Sequence, residues 1–385
     1  SSSMTGPPCH NLPAANHLRP PGIYSTKARF YAILIGHKAV FGEATFDFSP
    51  GLNVLIGANG TGKSHVLKVL YSIIRSMAVL GAAVPGGTTG QRPDWNIPIW
   101  RELSKYFRPD GALFTSFVRH GVQDADVAAH GDFGTALIRF RGNEGSSEFP
   151  HFTRSSGGEP AVFVPASEVL SISLGFVAAF ERLELSFDGT FRDLCVHLSA
   201  SLLRSIDSPV LADLVAKLDD AVGGKTVLRG DRFYVSVSED WLLEAPMLAE
   251  GLRQLATVAH RIRNGSLHQE YVLFWDEPET NMNPRLIPKV AQALLALAAA
   301  GTESRTNPGC RMASLPRRWA RRFVTLWREL SGRIAPPANR KCGIRSSGPF
   351  RIGTARSACY CGWRKTKSRG CPGGEGTPRR CRPNC

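Results

Sequence analysis

Residues Gly57-Ala58-Asn59-Gly60-Thr61-Gly62-Lys63-Ser64 fit the phosphate-loop pattern G-x-x-x-x-G-K-[ST]. The flanking residues supply what such a loop requires. Leu52-Asn53-Val54-Leu55-Ile56 reads as a short buried strand, and Val66, Leu67, Val69, Leu70, Ile73, Ile74 and Met77 recur behind it at helical spacing. Glycines let backbone N–H groups close around phosphate oxygens, and the helix that follows points the positive end of its dipole at the same charge. The pattern predicts that Lys63 reaches the β- and γ-phosphates of a nucleoside triphosphate and that Ser64 ligates Mg2+.

The rest of the composition narrows the setting. A chain of 385 residues can bury an ordinary core without disulfide or metal staples. Its formal net charge of +15 is unevenly spread: residues 301–385 hold 20 Lys and Arg against 3 Asp and Glu, whereas residues 1–300 hold 27 against 29. The charge therefore gives no reason to put a nucleic-acid surface on the body of the protein. Of the nine cysteines, Cys9 and Cys195 lie in the body, which reads as a reducing-compartment protein, and the others lie beyond residue 301. Neither a secretory signal nor an apolar run long enough for a bilayer is visible, so the expected location is the cytoplasm, with no membrane partner.

A second element completes a nucleotide site. Tyr271-Val272-Leu273-Phe274-Trp275-Asp276-Glu277-Pro278-Glu279 is an apolar strand ending in acids, which is how a Walker B element reads. Asp276 is expected beside Ser64 at the metal, and Glu277 is the candidate catalytic residue that orients or deprotonates the attacking water. Between the two elements, Leu248-Ala249-Glu250-Gly251-Leu252-Arg253-Gln254-Leu255 steps from loop to helix, with Gly251 placed 25 residues before Asp276.

This order and spacing resemble the ABC-class ATPases, specifically the RecF, OLD and SMC-like branch of AAA-type ATP-binding proteins from bacterial repair and defence systems. The run Asp276-Glu277-Pro278-Glu279-Thr280-Asn281-Met282-Asn283-Pro284 is similar to that branch's D-E-P-E-x-x-L-H-P, with Met282 and Asn283 at the Leu and His positions. The resemblance covers roughly residues 28–300 and implies an α/β P-loop NTPase fold of ABC/RecF-like type. A mixed sheet would carry an antiparallel edge subdomain and a helical insertion. It also implies Mg2+-dependent ATP hydrolysis by a nucleotide-sandwich homodimer, in which Gly251 opens a signature helix toward the γ-phosphate held by the other subunit. A DNA-related repair or defence process, with DNA or a nuclease as partner, is the family-level expectation. The implied organisation is a disordered leader over 1–25, an ATP-binding lobe with antiparallel strands over 26–165 and a helical insertion over 166–247. The signature helix and Walker B segment follow over 248–300, and a basic, Cys- and Arg-rich tail over 301–385.

The chain departs from the branch at several points. Ala249 stands where the signature carries a hydroxyl, and Glu168, in Val164-Pro165-Ala166-Ser167-Glu168, stands in for a Gln expected after the strand that enters the helical lobe. Lys38 and Phe41 correspond to positions near which relatives touch the phosphates or the base, but such residues are more often simply surface and core, and they are not counted in the site. Relatives continue past the helix at Pro288–Ala300 with a buried strand ending in a Thr-His or Ser-His pair; here no such strand is expected, and residues 301–385 contain neither His nor Asp. The Arg, Pro, Gly and Cys richness of the tail is what out-of-frame reading of GC-rich codons produces, so a frameshift near residue 300 is the expectation. A basic amphipathic helix around Trp319 to Leu330 and a zinc cluster around Cys359, Cys361 and Cys371 are the functional alternatives for the tail. For the whole chain, a nucleotide-dependent clamp with little or no turnover remains the alternative to an ATPase. A transporter subunit is disfavoured by the absence of L-S-G-G-Q.

Overall fold

Strand β3 (Leu52–Gly57) delivers the phosphate loop from the middle of a six-stranded sheet. The computed structural model describes residues 30–36, 43–48, 52–83, 96–109, 117–118, 123–131, 134–141, 144–152, 161–268, 271–303, 311–316, 350–355 and 358–363. The leader at 1–25, Lys38, Phe41 and the basic segment around Trp319 lie outside them.

The elements preceding and following β3 are β1 (Phe30–Gly36) and β2 (Glu43–Asp47), helices α1 (Lys63–Ala83) and α2 (Asn96–Phe107), and strands β4 (Asp124–Gly131), β5 (Gly134–Arg141) and β6 (Glu144–Phe152). Strand β7 (Ala161–Val164) leads to α3 (Phe176–Arg182), α4 (Gly189–Leu198) and α5 (Pro209–Val222). A small meander follows, with β8 (Lys225–Arg229), β9 (Arg232–Ser236) and β10 (Leu242–Glu244). Helix α6 (Glu250–Arg263), β11 (Val272–Trp275) and α7 (Ile287–Glu303) complete the body, and β12 (Arg311–Pro316), β13 (Phe350–Ala355) and β14 (Ala358–Trp363) lie beyond it.

The six-stranded sheet runs β13-β14-β3-β12-β11-β7, and β3, β12, β11 and β7 are mutually parallel. Strands covered on both faces need apolar residues at successive positions, which is why Ala161-Val162-Phe163-Val164 and Val272-Leu273-Phe274-Trp275 carry no polar alternation. Their side chains divide between two cores. Val162, Val164, Leu273, Trp275, Val54 and Ile56 pack on the side of α4 to α7. Phe163, Phe274 and Leu55 pack with α1, α2 and the antiparallel sheet β2-β1-β4-β5-β6. The architecture is therefore α/β, with a mixed central sheet, an antiparallel subdomain and a helical lobe.

One expectation is corrected here. A strand does follow α7: Arg311-Met312-Ala313-Ser314-Leu315-Pro316 enters the sheet between β11 and β3, with Trp275 opposite Ala313 and Pro316 opposite Gly57. The physical reason is that β3 and β11 do not pair with each other, and the buried backbone edges facing the gap require hydrogen-bond partners. The strand ends in Leu315-Pro316, so it brings no histidine to the edge.

The lobe is anchored to α1 by a buried charged hub. Asp193 on α4 accepts hydrogen bonds from Lys105 Nζ at 2.6 Å, Tyr106 Oη at 2.6 Å and Tyr71 Oη at 3.1 Å. Arg75 and Arg192 add ion pairs at 3.9 and 3.6 Å. Nearby, Lys68 Nζ donates at 2.6 Å to Asp188, the residue that also caps α4 by accepting from Thr190 N at 2.8 Å. Residues 68, 71 and 75 share one face of the helix that begins at the phosphate loop. Burial pushes the Asp193 carboxyl up, but Lys105, Tyr106 and Arg75 together hold it below the usual carboxylate range. A depressed carboxyl stabilises the fold above its unfolded pKa, and that contribution is lost as pH falls through the folded one. Asp193→Asn should accordingly lower stability at pH 7 by about 3 kcal/mol, with variant and native converging in acid. Urea unfolding midpoints that coincide at pH 7 would contradict this role.

Candidate functional site

Because β3, β12, β11 and β7 run parallel, the segments after β3, β11 and β7 all leave the sheet at its carboxyl edge, where open α/β sheets form their crevices. One strand separates β3 from β11, a lateral distance of about 10 Å. The structure thus brings Gly57 to Ser64, Asp276 to Glu279 and Pro165 to Glu168 to one edge.

The phosphate loop is built by its own backbone. Gly60 and Gly62 sit at φ 73° and 90°, a region where a side chain is strained. At Gly57 a Cβ would stand 2.6 Å from Thr61 Oγ1, the hydroxyl that donates to Ala58 O at 2.8 Å and closes the turn. Ala58, Asn59 and Gly60 are exposed, whereas Thr61, Gly62 and Lys63 are buried. Lys63 Nζ folds back to donate to Gly57 O at 3.2 Å and Ala58 O at 3.1 Å. Its ammonium therefore lies against the loop, where phosphate oxygens would supply stronger acceptors than carbonyls. Ser64 follows it in the first turn of α1.

The acidic side is fixed by the sheet. Asp276 N donates to Val164 O at 2.9 Å, extending the β7–β11 pairing by one residue and holding the buried Asp276 at the strand end. Glu277 adopts φ 43°, a left-handed backbone uncommon for a side-chain-bearing residue and concentrated at functional sites. Thr280 stabilises that turn, donating from N to Glu277 O at 2.9 Å and from Oγ1 to Glu277 Oε2 at 3.1 Å.

Gly251 does not stand at an open helix end. It is buried against the turn that follows the acids, where a Cβ would approach Met282 Cα to 2.9 Å and Asn281 O to 3.1 Å. Ala249 is the extended N-cap of α6 and provides no side-chain cap. Glu168 is neither exposed nor a simple cap: it is buried and ion-paired with Arg253.

Sequence reasoning missed Glu279 as a site residue. It is 6 % exposed, and neither carboxyl oxygen makes a hydrogen bond to another residue. Burial, reinforced by Glu277 and Asp276 and opposed by Lys63, pushes its carboxyl up to about 8. Only its place three residues after Asp276 could have pointed to it. Among the described residues no group of three or more His, Cys, Asp and Glu is placed to hold a metal ion. A divalent ion here would need Ser64, Asp276 and phosphate oxygens together, the way Mg2+ is usually held in nucleotide sites. The orphaned Glu279 carboxyl and the oxygen donor set of Ser64 and Asp276 are compatible with such an ion. No helix among the described residues is long and apolar enough to cross a membrane.

Residues 52–123 match the family model AAA_21, described as "AAA domain, putative AbiEii toxin, Type IV TA system". The match takes in the phosphate loop and the helix behind it, so this segment is similar to an AAA domain. Comparison with curated protein sequences finds no match. Among solved structures, the chain is similar to the SMC head domain from Thermotoga maritima, at 10 % identity and TM-score 0.39, over 86 % of this chain and 98 % of that one. An Smc head domain with an extended coiled coil, bound to the C-terminal domain of ScpA and derived from Pyrococcus furiosus, matches at 11 % identity and TM-score 0.44, over 87 % and 96 %. The recombination mediator RecF with ATP matches at 11 % identity and TM-score 0.34, over 76 % and 94 %.

The Glu279 environment carries a pH signature. A carboxyl raised from 4.5 to about 8 on folding stabilises the fold below its unfolded pKa, and the contribution is lost as pH rises toward 8. Glu279→Gln should remove that slope, so its stability relative to the native chain rises between pH 5 and about 8. Parallel pH profiles of the two melting temperatures would show that Glu279 is not held protonated.

Proposed function

We propose that this chain binds and hydrolyses ATP with Mg2+, working as a head-to-tail pair of copies. The observation that carries the reading is the convergence of the phosphate loop and the two Walker B acids on one edge of a parallel sheet. Phosphoryl transfer asks little more of a protein than positioning and charge compensation, and these residues supply both. Backbone N–H groups of Gly57 to Ser64 would cradle the phosphates, with Lys63 exchanging its carbonyl partners for the β- and γ-oxygens. Ser64 and Asp276 would hold Mg2+, which when bound neutralises the charge of the phosphate oxygens. Glu277, on its left-handed turn, would accept the proton of the attacking water. The exposed part of the loop, Ala58 to Gly60, is the face available to Ala249 and Glu250, the accessible part of the signature segment Leu248 to Gly251, of a second copy.

Two observations favour a second reading, a nucleotide-dependent clamp with slow turnover. Ala249 offers no hydroxyl at the start of α6, and β12 ends in Leu315-Pro316 without a histidine. A DNA-related repair or defence role, with DNA or a nuclease subunit as partner, and a cytoplasmic location are part of the proposal through the family resemblance alone.

Glu277→Gln separates the two readings. For a hydrolase it should lower ATP turnover by at least about a hundredfold and accumulate an ATP-dependent dimer in sedimentation. For a clamp, native and variant would release phosphate equally slowly while still pairing. A variant as active as a fast native enzyme would overturn the catalytic assignment.

A further inference from the structure

The first turn of α6 is tied to the nucleotide edge by three separate contacts. Arg253 Nε lies 2.9 Å from Glu168 Oε1 as an ion pair without hydrogen-bond alignment, and the same guanidinium donates through Nη1 to Leu248 O and, at 3.3 Å, to Pro246 O. Glu168 is steadied in turn by Ser171, whose N donates to Oε2 at 3.2 Å and whose hydroxyl donates to Oε1. The neighbouring Gln254 Nε2 donates at 2.5 Å to Ala166 O. On the other side, Gly251 packs against Asn281 and Met282, beyond the Walker B acids. The segments leaving β7 and β11 therefore grip the same helix start.

The ion pair is poorly suited to a purely stabilising task. Its side chains are 4 % and 14 % exposed, and removing two charges from water offsets most of their attraction. What a planar guanidinium does well is fix geometry, because one side chain can bind a carboxylate on one edge and carbonyls on another. Here it joins the loop before α6 to the segment after β7. We propose that Glu168 and Arg253 are a positioning pair that sets the Leu248 to Gly251 loop in register with the phosphate loop. Both act through the loop, and neither is assigned a part in holding the nucleotide. The proposal rests on the paired-ATPase reading, since that loop is the surface a second copy would meet. It predicts an effect on pairing and loop order, with ATP affinity spared.

The test uses the full chain with Glu168→Gln, Arg253→Lys and both together. Three quantities are read: Mg·ATP affinity of the unpaired chain, hydrogen exchange of amides 248–256 without nucleotide, and ATP-dependent association in the Glu277→Gln background. The expected result is ATP affinity within about twofold of native and exchange at 248–256 faster by about tenfold. Association should weaken by a similar factor, with the double variant no worse than either single one, as for partners in one interaction. Unchanged exchange at 248–256 in Glu168→Gln, or single effects that simply add, would overturn the pair. If Arg253→Lys fails to unfold cooperatively, Glu168→Gln alone decides by the same exchange criterion. Absence of association in the parent background overturns the pairing reading instead, and the exchange result still decides whether the two residues position the loop.

Discussion

The parallel pairing of β3, β12, β11 and β7 is the constraint on which the site depends. Strands β3, β11 and β7 are buried along their length, so their backbone polar groups are satisfied by neighbouring strands, and β7 and β11 carry apolar residues in both directions. That requirement fixes the carboxyl ends of the strands along one edge. Asp276 is held there by the backbone hydrogen bond its N donates to Val164 O, so its place follows from the sheet. The phosphate loop is likewise placed by the register that sets Gly57 opposite Pro316.

Around that frame, charge joins the lobes. Asp193 gathers donors from α1, α2 and α4, and Arg253 links α6 to the loop before it and to the segment after β7. Asp193 and Glu168 are buried, so breaking either contact is costly because a charge would be left without its partner inside the protein. Their common consequence is that the helical lobe cannot shift against the phosphate loop without disturbing a charged contact.

Much of this was legible in the sequence. The phosphate loop announced itself through its fixed glycines and Lys63, and the strand before it and helix after it through periods of burial that any core requires. Val272 to Trp275 was readable as a buried strand for the same reason. β12 was not, because Arg311-Met312-Ala313-Ser314-Leu315-Pro316 has little apolar character, and its place is set by the gap between two other strands. Glu168 was noticed for its position but not for its partner, since Arg253 lies 85 residues away in sequence. Glu279 was hidden inside a motif whose first two acids drew the reading. Its lack of partners is a property of packing alone.

The central claim is that the loop at Gly57 to Ser64 holds the phosphates of ATP. Calorimetric titration of the full chain with Mg·ATP, native against Lys63→Ala, tests it most directly. The account predicts saturable binding to the native chain and a loss of about a hundredfold or more on removing the ammonium, as befits two charge-assisted hydrogen bonds. Equal affinity of the two proteins, or no binding to either, would contradict it.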